Sequence, residues 1–439
     1  MTKRISLLTL ILLAFSFASK SQQNDSLSDE RFSIHAQTTI INQYKPGFAA
    51  PYTGTNSLTT GEEDQTSITS TLFLGARLWK GASFFANPEI AGGSGLSSTL
   101  GIAAAPNGET FRIGSPKPQI YMARFYLQQT FALGKEKEYF NSTINTLGGY
   151  IPKKYFRVTV GKISMTDFFD NNTYSHDPRE HFMSWGLMAN GAWDYPANTR
   201  GYTLGTVLEY VTPKHEFRYA LTMVPLSANG PDLNTDLTKA SSHTLEYTYN
   251  YKLGNRIGAV RLLGFFTTAN MGSYNESIAL DPSAPNIQNT RQYGRSKYGF
   301  GINMEQQITD VLGMFFRASW NDGNNETWAF TEIDRSASIG FEANGGRWKR
   351  ENDHIGLAYV ISGLSTPHLN YLKAGGDGFM LGDGKLNYAP EQLTEFFYSF
   401  ALNNLVFLTG AYQLVINPGY NADRSGPVNI FSVRVHIAI

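Results

Sequence analysis

The sequence predicts an all-β fold: a single transmembrane antiparallel β-barrel of about sixteen strands, with short turns on one side and long loops on the other. Three observations lead there. Apolar and polar residues alternate with period two in segment after segment between Phe32 and Ile439. Charged residues make up only 16% of the chain while aromatics reach 13%, against about 25% charged in a typical soluble domain. Beyond the first 21 residues no apolar run is long enough for a membrane helix, which needs about 18 residues. A barrel reconciles the three, because lipid-facing residues alternate with polar ones and mean hydropathy stays low.

The N-terminus reads "MTKRISLLTLILLAFSFASKSQQ". A basic start (Lys3, Arg4), an apolar stretch (Ile5 to Phe17) and small residues around Ser19 and Ser21 make a secretory signal over residues 1–21. Residues 22–30 form a polar, mobile lead-in, and residues 31–439 the barrel. Cleavage after Ser21 removes Lys3, Arg4 and Lys20 and leaves a slightly acidic chain. Such a balance has no electrostatic footprint for nucleic acid. The chain contains no cysteine, which excludes a disulfide framework, thiol catalysis and Cys-based metal sites.

The strands follow in order. "TLFLGARL" sets Leu72, Leu74, Ala76 and Leu78 opposite Arg77. "YMARFYLQQTFAL" places Tyr121, Ala123, Phe125 and Leu127 on one face, Arg124 and Gln128 on the other. "YFRVTVGK", "GYTLGTVLEYV" and "EFRYALTMV" repeat the pattern around Arg157, Glu209 and Arg218. Helices would repeat near 3.6 residues instead. "VRLLGFFTT" and "GLAYVISGL" depart from it, being apolar on both faces. "TPKH", "KLGNR" and "QITDV" are tight turns, while residues 91–118, 163–201, 269–296 and 364–391 are long loops. In the last segment, "FSVRVHIAI", the Phe431, Val433, Val435, Ile437 and Ile439 row faces lipid. Arg434 and His436 then face the lumen, and the strand pairs with "FSIHAQTTII" to close the barrel without an edge.

Arginine recurs on the lumen face (Arg77, Arg124, Arg157, Arg218, Arg261, Arg317), together with Glu209 and Glu305. Placing Arg or Lys on the lipid face would cost about 2–4 kcal/mol near the midplane, so energetics alone sends these charges inward. A wet pore would present guanidinium forks and carboxylates to sugar hydroxyls; the alternative is a structural or surface-binding barrel plugged by its own loops. Mixed signs argue against strong ion selectivity. The loop 163–201 carries Asp170, Asp177, Arg179, Trp185 and Trp193 and is too aromatic to be disordered. Folded inward it makes a constriction, with Trp185 and Trp193 positioned to stack on sugar rings.

No catalytic or metal site emerges. Ser175, His176 and Asp177 are consecutive, so they cannot act in series as nucleophile, base and orienting group. Pro178 interrupts any helical facing of His176 and His181. "VGKIS" lacks the glycine-rich lead of a phosphate loop.

At "GKISMTDFFDNNTYSHDPREHFMSW" the chain resembles the carbohydrate-selective porins of the OprB type. The likeness continues through "FRASWNDG", "GGRWKREND" with "IGLAYV", and "YQLVINPGYNADRSGPVNIFSVRVHIAI". It implies a 16-stranded barrel in the outer membrane of a Gram-negative-type bacterium that lets sugars diffuse passively, with no cofactor and no coupling to energy. Its partners would be the transported sugars, outer-membrane lipid and the barrel-assembly machinery. Asp170, Asn171, Asp177, Pro178 and Arg179 fall on the family's loop motif, and Gln413, Asn417, Pro418 and Gly419 on its C-terminal one. Ile439 departs from the terminal aromatic residue that such barrels usually present for insertion.

Overall fold

The structure is a computed structural model that describes residues 28–110 and 116–439; the predicted signal at 1–21 and the lead-in to residue 27 lie outside the described residues. The first strands are β1 (Phe32–Lys45), β2 (Glu63–Trp79), β3 (Ala82–Gly93) and β4 (Gln119–Ala132). Two short strands follow, β5 (Lys137–Phe140) and β6 (Gly149–Pro152), then β7 (Tyr155–Ile163), β8 (Thr203–Val211) and β9 (His215–Thr222). Next come β10 (Ser241–Leu253), β11 (Arg256–Met271), β12 (Gln292–Gln307), β13 (Leu312–Asn321) and β14 (Arg335–Gly345). The last are β15 (Arg350–Gly363), β16 (Glu391–Ala401), β17 (Val406–Ile416) and β18 (Val428–Ala438).

Sixteen of these strands form one closed antiparallel barrel; β5 and β6 pair only with each other. Closure is made as expected by β18 against β1, with Gln37 opposite Ala438 and Tyr44 opposite Phe431. The ladder runs to the last residue. Ile439 N–H donates to Ala36 O at 2.8 Å, and Ala36 N–H donates back to Ile439 O at 3.0 Å.

Burial follows the alternation. In β18 Phe431 and Val433 are half exposed on the outer surface, whereas Ser432, Arg434 and His436 are buried inside. Among the described residues no helix is long and apolar enough to cross a membrane. The outward rows of Leu, Phe, Ile and Val on the strands supply the lipid-facing surface instead. Trp79, Phe131 and Phe217 lie outward near the short-turn side and Tyr293, Tyr298 and Phe431 near the long-loop side, where aromatic rings suit a membrane interface.

One strand breaks its predicted phase. The β3–β4 register shifts between Asn87 and Pro88, where proline lacks the N–H a ladder needs. Ile120 and Met122 therefore face out, as do Phe125 and Leu127 beyond the bulge. Tyr121 and Ala123, assigned to lipid from simple alternation, point inward, and the Tyr121 hydroxyl donates to Glu89.

The short-turn side also has one long excursion, between β4 and β7, that the sequence pattern did not announce. It holds the β5–β6 hairpin and is fastened to the start of the described chain. Glu30 N–H donates to Gly148 O, and Gly148 N–H to Glu30 Oε2, both at 2.8 Å. Tyr150 N–H donates to Asp29 Oδ1 at 3.0 Å, so Asp29 and Glu30, the end of the polar lead-in, are structural ties.

Candidate functional site

The loop from Ser164 to Tyr202 lies inside the barrel. Its apolar side chains are buried against the inner wall in two clusters. Phe182, Met183 and Leu187 pack on Phe315, Ala358, Val360, Leu393 and Phe397. Phe168, Phe169 and Trp193 pack on Tyr126, Val207, Leu263 and Phe265. Full burial of such side chains contributes about 1.5–3 kcal/mol each. The two segments that were apolar on both faces now have their reason. Ala358 and Val360 on β15, and Leu263 and Phe265 on β11, form the wall on which the loop rests. Inward apolar residues on those strands were the available sign of a docked loop.

Polar wall residues grip the loop backbone. Arg317 Nη1 donates to Leu187 O at 2.8 Å, Nη2 to Ser175 O at 2.7 Å, and Nε to Asp170 Oδ1 at 3.1 Å. Arg434 reaches the carbonyls of Pro178, Glu180 and His181, each at 2.7 Å. Glu395 accepts from Met183 N at 2.6 Å and Ser184 N at 3.0 Å; Glu246 accepts from Asp170 N at 2.7 Å. Asn303 donates to Asp170 Oδ1 at 2.6 Å. Asp170 itself sits at φ 57°, a left-handed conformation that aspartate tolerates better than most residues. Glu391 does the same for the loop between β3 and β4, accepting from Ala103 N and Ala104 N at 2.9 and 2.8 Å. Asn303, Glu391, Glu395 and Arg434 belong to this scaffold, and as isolated polar residues in strands they carried no signal of it.

The lumen that remains open lies against β2, β3, β4, β7, β8 and β9. A chamber of about 690 Å³ is bordered by Arg77, Arg124, Arg157, Glu209, Arg218, Asp167 and the loop residues His176, Asp177 and Arg179. A smaller cavity of about 100 Å³ lies on the other side of the loop and is bordered by Glu109, Trp185, Arg200 and Tyr202. Arg124, Asp167, His176, Asp177 and Arg179 border both spaces, so they form the boundary between them. Arg124 meets Asp167 through two bonds of 2.6 Å in a fork. Arg179 crosses to Glu109 at 2.8 Å and to Glu89 on β3 at 3.3 Å. The loop is therefore tied to opposite walls.

Charge on these loops is set by that packing. Burial raises the Glu109 carboxyl above its ordinary range even though Arg179 pulls the other way. Burial also acts on Asp177, but the Arg179 guanidinium and backbone N–H outweigh it and hold the carboxyl low. On the chamber side of this boundary, Arg218 bridges Glu209 at 3.3 Å and Glu246 at 3.6 Å and also binds Glu216. Arg157 stands 3.8 Å from Glu209 and donates to Thr130 Oγ1 at 3.0 Å.

The predicted site residues thus divide. Arg77, Arg124, Arg157, Glu209, Arg218, Asp177 and Arg179 border the chamber, and Trp185 borders the smaller cavity. Arg261, Glu305, Arg317, Asp170 and Trp193 border neither. Arg261 pairs with Glu305 at 3.2 Å, and Glu305 accepts from Thr173 N at 2.7 Å. Trp193 is 1% exposed, against Phe169 and Tyr195, so neither of its faces is free for a sugar. Trp185 gives one face to Phe330, with ring centroids 3.5 Å apart. Alternation tells which way a side chain points; it does not tell what lies on top of it.

Comparison with known proteins bears on the same architecture. The model of the family described as "Carbohydrate-selective porin, OprB family" matches residues 55–439. No curated protein sequence matches the chain significantly. The high-pH structure of Pseudomonas putida OprB superposes with a TM-score of 0.69 at 14% identity, covering 93% of this chain and 94% of that one. The outer membrane channel DcaP of Acinetobacter baumannii gives 0.51 at 10% identity, covering 93% and 97%. At these identities the structural likeness speaks for the barrel, and the family match for its kind: the chain belongs to the carbohydrate-selective porins of the OprB family.

Proposed function

We propose that sugars diffuse passively through this outer-membrane porin between the loop 164–202 and the β2–β3–β4–β7–β8–β9 wall, and that the passage involves no chemical step. The observation that carries this reading is the set Arg124, Asp167, His176, Asp177 and Arg179, which borders both open spaces in the lumen. The chamber of about 690 Å³ beside the loop is large enough to take a monosaccharide, which supports a pore over a fully filled barrel.

At the boundary between the two spaces a sugar gives up water and regains hydrogen bonds from paired guanidinium and carboxylate groups, whose geometry the ion pairs already fix. Arg157 and Arg218 repeat the offer further down, and the rings of Tyr126, Tyr155 and Phe168 border the same chamber. Tyr126 and Phe168 are themselves buried, so Tyr155, rather than Trp193, is the ring placed for contact with the C–H face of a sugar. Insertion by the barrel-assembly machinery into outer-membrane lipid completes the reading. Liposome swelling tests it. Neutral mono- and disaccharides should enter proteoliposomes at rates that fall with size, and no entry of any neutral sugar would reject it.

A further inference from the structure

The excursion between β4 and β7 does more than join two strands. Its arm from Ser142 to Leu147 rises into the lumen from the short-turn side. The tip is a tight turn, with Thr143 and Thr146 exchanging both backbone bonds at 3.1 Å and Asn145 at φ 54°. Ser142 Oγ meets His35 Nε2 of β1 at 2.9 Å. Arg77 of β2 donates to Gly148 O at 3.0 Å and to Glu30 O at 2.9 Å. Leu147 is buried among Phe85 of β3 and Tyr126 of β4. Asn145 Oδ1 accepts from Asn87 Nδ2 at 3.0 Å, and Asn87 is the register partner of Arg124, the residue that clamps Asp167 at the boundary between the two spaces. The arm therefore climbs to the level just under the loop and takes up one side of the short-turn half of the barrel. Ile144 and Tyr150 stay exposed, facing the chamber.

We propose that this periplasmic hairpin is a second, independent size-determining element of the pore. It confines the solute to a corridor between Ile144 and Tyr150 on one side and Arg124 and Arg157 on the other, so the exit as well as the loop sets which sugars pass. Short turns on the periplasmic side of such barrels normally leave that mouth open. Here the arm is bonded to three consecutive strands and to Asp29 and Glu30, so it is a fixed wall and not a swinging one. Its one apolar tip residue, Ile144, borders the same chamber as Arg124 and Arg157, an arrangement suited to a solute with both C–H and O–H surfaces.

The inference rests on the porin reading, but it is read out by ion current, which is independent of sugar. The native chain has no cysteine, so Ile144→Cys creates a single thiol. Reaction with a bulky methanethiosulfonate reagent should lower single-channel conductance. In a second variant residues 137–152 are replaced by a short Gly-Ser linker. It should raise conductance and admit larger oligosaccharides into liposomes, with heat-modifiable migration verifying a folded barrel. Conductance unchanged after full modification of Ile144→Cys, confirmed by mass, would overturn the proposal even if the linker variant fails to fold. A folded linker variant with native conductance would overturn it as well. A native protein that conducts ions yet passes no sugar would defeat the sugar reading and leave the hairpin result standing.

Discussion

Arg317 on β13 and Asp170 in the lumen loop form a buried ion pair, Nε to Oδ1 at 3.1 Å, with both side chains almost fully enclosed. The guanidinium also holds three loop carbonyls, those of Asp170, Ser175 and Leu187. Removing one partner of such a pair strands the other charge, typically at about 3–5 kcal/mol. Arg317→Ala should therefore release the loop while the sixteen-stranded ladder stays closed. Limited proteolysis should cut within 164–202 in the variant and not in the native protein, with heat-modifiable migration unchanged. Arg317→Lys should restore little, because an ammonium cannot reproduce the planar fork.

Face assignment gives a second test. Val433 lies at the middle of β18, half exposed on the outer surface, and Gln128 borders the chamber. Val433→Arg should cost about 2–4 kcal/mol in the membrane and cut the folded yield sharply. Gln128→Arg should insert normally and lower conductance. Equal yields for the two variants would contradict the orientation of the barrel wall.

Ion selectivity should be weak and anion-leaning. Around the chamber Arg77, Lys80, Arg124, Lys137, Arg157, Arg179 and Arg218 outnumber Asp29, Asp167, Asp177 and Glu209, yet both signs are present. A reversal potential in a salt gradient should thus favour anions modestly. A value near the ideal for a single ion would contradict a sugar pore.

Acidification should sharpen that preference in two stages. Burial raises Glu109, so it gains its proton above the ordinary carboxylate range; Asp177, held low beside Arg179, gains its proton only below it. The signs differ for stability too. A raised carboxyl favours the docked loop as pH falls, whereas the depressed Asp177 stabilises it at higher pH and loses that contribution as pH drops through its folded value. Glu109→Gln should reduce the first stage of the selectivity change, to which buried His176 also contributes as it gains its proton below the usual histidine range, and spare the second, measured as reversal potential against pH.

Most of the barrel was legible because a strand wall in lipid must alternate, and the wall of β7, β8, β9 and β18 does so without interruption. The exceptions are local and physical. Pro88 breaks a ladder, and the phase of β4 slips, turning Tyr121 and Ala123 inward. The hairpin was invisible because β5 and β6 are four residues each, too short for a period to register. In the lumen, Arg124 and Arg317 look alike in sequence. One remains beside open space and the other is covered by loop backbone, a distinction that depends on where the loop rests.

Single-channel conductance after removal of the lumen loop tests most directly whether that loop walls the path of the solute. Replacing residues 172–192 by a short linker takes out Asp177, Arg179 and the anchors Phe182 and Leu187 while leaving every strand intact. The folded variant should conduct severalfold more current than the native porin and let bulkier sugars into liposomes. Native conductance in a folded variant would place the loop outside the path of the solute and contradict the account.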